Sequence, residues 1–106
     1  MINTMTVTEL KEKLDAKSEL ILVDCREQGE WNEGHIEEAI FIPLSEFGAR
    51  WENDLKDKDA TIVMQCRSGK RSLNACMLLM QEGFSNLHNL EGGIMAWQES
   101  GYNVTK

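Results

Sequence analysis

Short apolar runs alternate with segments of helical period along most of this chain. Leu20-Ile21-Leu22-Val23 and Ile62-Val63-Met64, the latter led in by Ala60-Thr61, are continuous runs of the kind buried on both faces of a parallel sheet. Residues 39–42 form a third run, stopped by Pro43, the only proline. Residues 84–89 predict another short strand and residues 2–5 an edge strand. Between these lie the helical patterns. Thr6 with Glu9 three residues on reads as a capping box, and Val7, Leu10 and Leu14 then recur at helical spacing as far as about Lys17. Ser45 is the expected cap of a helix carrying Phe47 and Trp51. Residues 73–80 are nearly all apolar, as in a buried helix, and Gly83 suits its exit. Gly92-Gly93 breaks the chain before a last helix over 94–99, with Trp97 on its apolar side. Residues 30–36 predict an irregular turn with a short helix, and residues 53–59 a charged loop.

Strands alternating with helices predict an α/β fold, a mostly parallel sheet with helices on both faces. With 106 residues, no internal repeat and no linker, a single domain over 1–106 is expected. At 42% hydrophobic the chain can build a core without disulfides or a metal. A net charge of -7 speaks against nonspecific nucleic-acid binding, which needs a basic footprint. No apolar run approaches a membrane span, and residues 1–5 offer neither a charged leader nor an apolar segment of the secretory type. The three cysteines, at 25, 66 and 76, are odd in number and form no CxxC, which argues against a disulfide framework or a zinc site. Free thiols in a reducing cytoplasm are the expectation.

One stretch carries chemistry. Gln65-Cys66-Arg67-Ser68-Gly69-Lys70-Arg71-Ser72 joins a predicted strand to a predicted helix. A cysteine there meets unpaired amides and the positive end of the helix dipole, and both favour the thiolate, its reactive form. Arg67, Lys70 and Arg71 are three of the chain's eleven basic residues, and they add to that field. Gly69 permits a positive φ, so successive amides can curl around one point. The pattern predicts an anion cradle with a nucleophilic sulfur at its floor, and an anionic substrate. The plainer reading makes Cys66 a small buried apolar residue. That reading fits Cys76 better, which sits mid-helix among Ala75, Met77 and Leu78. Cys25 ends a strand near the expected crevice; it is read as packing, with a resolving thiol as the alternative. Asp24 and Cys66 both fall at strand carboxyl ends, where ligand sites of such sheets lie.

These residues together resemble the rhodanese family, specifically a stand-alone single-domain rhodanese. Asp24-Cys25-Arg26-Glu27, Glu30-Trp31, Gly34-His35-Ile36, Ala39 and Ile42-Pro43 resemble its first signature. Cys66 through Ser72 resembles its active loop. Gly83-Phe84, Leu90, Gly92-Gly93 and Ala96-Trp97 resemble its closing signature. The resemblance implies a five-stranded, mostly parallel rhodanese-like sheet flanked by helices, and a sulfurtransferase that needs no metal or organic cofactor. Cys66 corresponds to the nucleophile that becomes a persulfide. Arg67, Ser68, Gly69, Lys70 and Arg71 correspond to the rest of the six-residue loop, whose amides hold that persulfide. Three positions depart from the family pattern: Glu38 replaces a usual glycine, Cys25 an aliphatic residue, and Trp31 the commoner tyrosine or phenylalanine.

Asp24 and Arg26 are supporting residues, read as tying loops together rather than taking part in chemistry. His35 is read as a turn residue rather than a general base, and Trp31, Trp51 and Trp97 as core anchors. Phosphatases and arsenate reductases of similar fold use a Cys-x5-Arg loop; Cys66 to Arg71 is one residue shorter, a tighter cradle that suits a sulfur atom better than a tetrahedral oxyanion. The basic loop implies a small anionic donor such as thiosulfate, with cyanide or a thiol as acceptor. The alternative is a persulfide carrier or partner-binding module supplied by a protein donor, which makes a sulfur-relay protein an expected partner. A monomer or weak dimer is expected.

Overall fold

The structure is a computed structural model describing residues 1–106. Five strands, β1 (Ile2–Met5), β2 (Ile21–Asp24), β3 (Ile40–Phe41), β4 (Ile62–Gln65) and β5 (Leu87–Leu90), make one sheet in the order β1-β5-β4-β2-β3. Every pairing is parallel. The helices are α1 (Val7–Asp15), α2 (Gln28–Glu33), α3 (Phe47–Asp54), α4 (Lys70–Gln81) and α5 (Gly93–Glu99). None is long and apolar enough to cross a membrane.

The two-residue side-chain period of the strands sorts the core into two layers. Val23, Ile62 and Met64 point into a cluster completed by Phe47 and Trp51 of α3 and by Ala75, Cys76 and Leu79 of α4. Leu22 and Val63 point the other way, onto Leu10 of α1 and Ile94 and Trp97 of α5. This is why residues 20–23 and 62–64 read as unbroken apolar runs: both faces of the central strands are covered. β4 lies at the centre. From β2 the chain steps to β3 on one side, and from β4 to β5 on the other. The carboxyl ends of β2 and β4 therefore flank the switch point, where connections diverge and leave a crevice.

Local signals explain most boundaries. Glu9 N–H donates to Thr6 Oγ1 at 3.1 Å and Thr6 N–H to Glu9 Oε1 at 2.9 Å, the expected capping box. Helix α4 leaves through a Schellman turn: Gly83 N–H donates to Met80 O and Phe84 N–H to Leu79 O. That turn takes Phe84 out of the expected strand and packs it edge-on against Trp51, so β5 starts only at Leu87. Two further expectations are corrected. Ser45 caps no helix; it lies inside a 3-10 turn (Leu44–Glu46), and its hydroxyl donates to Glu27 Oε1 at 2.6 Å. Trp31 belongs to neither buried cluster. It is half-buried, stacked on the His35 ring at 3.6 Å and tilted onto Phe41. Trp51 and Trp97 are buried, as expected of anchors.

Candidate active site

β4 ends at Gln65 and α4 begins at Lys70, so Cys66 to Gly69 form the turn between them. The Cys66 side chain is 1% exposed, at the floor of the turn. Gly69 has φ +114, a conformation open to glycine, and its amide donates to Cys66 Sγ at 3.0 Å. Burial on its own pushes the Cys66 thiol up. The amides of Ser72, Gly69 and Ser68 hold the thiol below its ordinary value, while the Ser72 hydroxyl gives its one proton to Asn89. The other two thiols differ. Burial pushes Cys76 up to about 12 and Cys25 higher still, so both stay protonated at neutral pH. Cys25 lies beside Cys66, just past the end of β2, its amide bonded to Gln65 O, and it packs in the same apolar cluster.

The amides can face the sulfur because the loop carbonyls are taken up elsewhere. Cys66 O accepts from Ile94 N–H at 2.9 Å and from the Gln65 side chain at 2.9 Å, and Arg67 O from Met95 N–H at 3.1 Å. The start of α5 thus serves as the loop's outer wall. A Cβ at Gly93 would lie 2.5 Å from both the Cys66 and Arg67 carbonyl oxygens, so only glycine allows this approach.

The loop cations do not behave alike. Arg71 gives Glu30 two hydrogen bonds, at 2.7 and 2.9 Å, which couple the first turn of α4 to α2. Arg67 and Lys70 are exposed and form no ion pair. Arg67 also borders a cavity of about 270 Å³ with Arg26, Glu33, Gly34 and Gln98. Asp24 and Arg26 form a buried pair beneath the site. Arg26 reaches both carboxylate oxygens, at 2.8 to 3.1 Å, and donates to Gly34 O at 2.7 Å, tying the ends of β2 and α2 together. His35 Nδ1 is 3.0 Å from the Trp31 carbonyl, which fixes that nitrogen as the protonated one and occupies it in the turn.

Sequence reasoning did not single out Ser72, Asn89 or the α5 amides. Ser72 is fully buried and bonded to Asn89 of β5, a contact set by the sheet register and carried by no local signal. Glu30 was legible only as part of a signature. Its carboxyl is held down at about 2, chiefly by the Arg71 hydrogen bonds. A depressed carboxyl contributes stability above its unfolded value, near 4.5, and loses it as pH falls towards 2. The pair is part-exposed, so Glu30→Gln is expected to cost only about 1 kcal/mol at pH 7. It is also expected to remove that share of the acid dependence. Urea titrations between pH 2 and 7 check this; a variant as pH-sensitive as the parent contradicts it.

A parallel sheet with a cysteine at its switch point, its thiol held down beside the Gly69 amide, defines an α/β domain that favours a thiolate there. Residues 6–100 match the rhodanese-like domain family model, and the chain belongs to that family. It is 38% identical over 104 residues to a sulfurtransferase of Allochromatium vinosum, covering 98% of this chain and 95% of that one. It is 33% identical over 99 residues to the thiosulfate sulfurtransferase GlpE of Shewanella oneidensis, covering 91% and 92%. The crystal structure of a rhodanese-related protein from Thermoplasma volcanium matches with a TM-score of 0.83 at 32% identity, over 97% of each chain.

Proposed function

We propose that this chain is a cytoplasmic sulfurtransferase that carries sulfane sulfur on Cys66. The observation that carries the reading is the Cys66 sulfur, seated under the Gly69 amide at 3.0 Å in a six-residue loop. The Cys66 thiolate attacks the outer sulfur of thiosulfate. The S–S bond of the donor breaks, sulfite leaves with the electron pair, and a Cys66 persulfide remains. Cyanide or a thiolate then attacks the outer sulfur and leaves as thiocyanate or a new persulfide, returning Cys66 as thiolate. This double displacement needs an activated nucleophile and an enclosed place for the charged intermediate. The amides of Ser68, Gly69 and Ser72 supply both. The loop, Cys66 to Arg71, is one residue shorter than a Cys-x5-Arg loop, a tighter cradle that suits sulfur better than a tetrahedral oxyanion and weighs against phosphoryl chemistry.

Arg67 and Lys70 meet the donor's two negative charges, because no carboxylate holds them. Arg71 sets the loop's position through Glu30. Arg67→Ala and Lys70→Ala are each expected to raise KM for thiosulfate roughly fivefold, the worth of an exposed charge contact. Turnover with glutathione persulfide is expected to change less. Steady-state kinetics with both donors check this, and equal effects on the two contradict charge recognition. The reading itself is tested by thiocyanate formation from thiosulfate and cyanide, with parallel double-reciprocal plots expected. A parent protein that takes up sulfur only from a protein donor belongs to the carrier reading instead.

A further inference from the structure

The geometry points to Asn89 as a positioning residue for the Cys66 loop: it fixes the loop at Gly69 and Ser72, and so keeps the amide arc closed on the sulfur. The inference rests on the reading of Cys66 as the sulfur-carrying residue. Asn89 lies on β5, the strand beside β4, and none of its own atoms is bonded to Cys66. Its side-chain N–H donates to Gly69 O at 3.0 Å. Its side-chain oxygen accepts a short hydrogen bond from the Ser72 hydroxyl. One planar amide therefore spans the segment from Gly69, whose N–H donates to the sulfur, to Ser72, whose amide also holds the thiol down.

The two bonds define each other. Gly69 O can only accept, so the amide nitrogen must face it, and the oxygen then faces Ser72. Ser72 is 0% exposed, one of four buried polar or charged residues, and Asn89 is its side-chain partner. With Gly69 O held away from the sulfur, the residue keeps its positive φ and its amide stays directed at Sγ. β5 also leads through Leu90 and Glu91 into the glycines at the start of α5, which holds the carbonyls of Cys66 and Arg67. The loop is thus pinned along its length from one neighbouring strand and its following helix. Asn89 is the only side chain of β5 bonded to it.

The test is the pH profile of Cys66 alkylation by iodoacetamide. Cys25 and Cys76, whose thiols burial pushes up while that of Cys66 is held down, stay protonated and unreactive over the same range. Because losing Asn89 frees the Ser72 hydroxyl to turn to the sulfur, Asn89→Ala is read on a Ser72→Ala background, where it is expected to raise the Cys66 midpoint by about half to one pH unit, the worth of one hydrogen bond. Asn89→Asp keeps the shape but sets an acceptor against Gly69 O and a negative charge near the sulfur. It is expected to raise the midpoint further. Asn86→Ala, at the far end of the same region, is expected to leave the profile where it was. Persulfide formation from a sulfane donor is expected to slow in the order of the shifts. Parent-like profiles in both Asn89 variants overturn the inference, as does an equal shift in Asn86→Ala, which marks general loosening. The alkylation profile does not depend on sulfur transfer. A parent that takes up no sulfur, while the Asn89 shifts persist, refutes the transfer reading and leaves the positioning role standing.

Discussion

Cys66→Ser is expected to reduce sulfur transfer to background, a loss on the order of 10^6-fold, as when an essential nucleophile is removed. A serine hydroxyl is not ionised at neutral pH and forms no bond to sulfane sulfur that can later be passed on. The substitution changes one atom, and the Gly69 amide can donate to oxygen as it does to Sγ. The fold is therefore expected to persist, with Cys25 and Cys76 still buried in the same cluster. Neither can substitute for Cys66, because burial keeps both protonated at neutral pH. Turnover with thiosulfate and cyanide, read beside a thermal melt, checks this. Full activity in a folded Cys66→Ser protein defeats the mechanism.

Asp24→Ala is expected to destabilise the protein by about 3–5 kcal/mol, since it strands the Arg26 guanidinium without its counter-charge. Arg26 is only 6% exposed, and its bonds to Asp24 and Gly34 O hold the ends of β2 and α2 together. Replacing both by apolar residues of similar size, Asp24→Leu with Arg26→Met, is expected to recover much of the loss, because no lone charge is left buried. Urea unfolding of the single and double variants gives the numbers. In the folded fraction, sulfur uptake at Cys66 is expected to persist, since the pair ties loops and touches no reacting atom. Uptake lost in a fully folded variant contradicts that structural role.

Cys66 and its loop were readable because the information is local. An apolar strand, a cysteine, a glycine and an apolar helix follow one another without interruption, so the strand-to-helix turn and a favoured thiolate follow from the order of residues, while the loop's closure on the sulfur depends on Asn89 and the start of α5. The parallel sheet was readable for the same reason: β2 and β4 are apolar on both faces, and no half-exposed strand shows that pattern. What escaped was non-local. Arg71 looks like a free cation until α2 brings Glu30 to it from 41 residues away. Asn89 looks like any polar strand residue until the β4–β5 register sets it under Gly69. Ser45 has the residue type of a helix cap, but Glu27 competes for its hydroxyl and takes it. Phe84 has strand propensity, yet the Schellman turn at Gly83 claims it first. In each case a partner distant in sequence, or a neighbouring turn, overrode a sound local preference.

The central claim is that Cys66 carries sulfur covalently, and the most direct measurement is the intact mass of the protein. After incubation with thiosulfate and removal of small molecules without reductant, the parent is expected to gain the mass of one sulfur atom. That gain is expected to vanish on adding cyanide and to be absent in Cys66→Ser. An unchanged mass with thiosulfate and with glutathione persulfide alike, or the same gain in Cys66→Ser, contradicts the account.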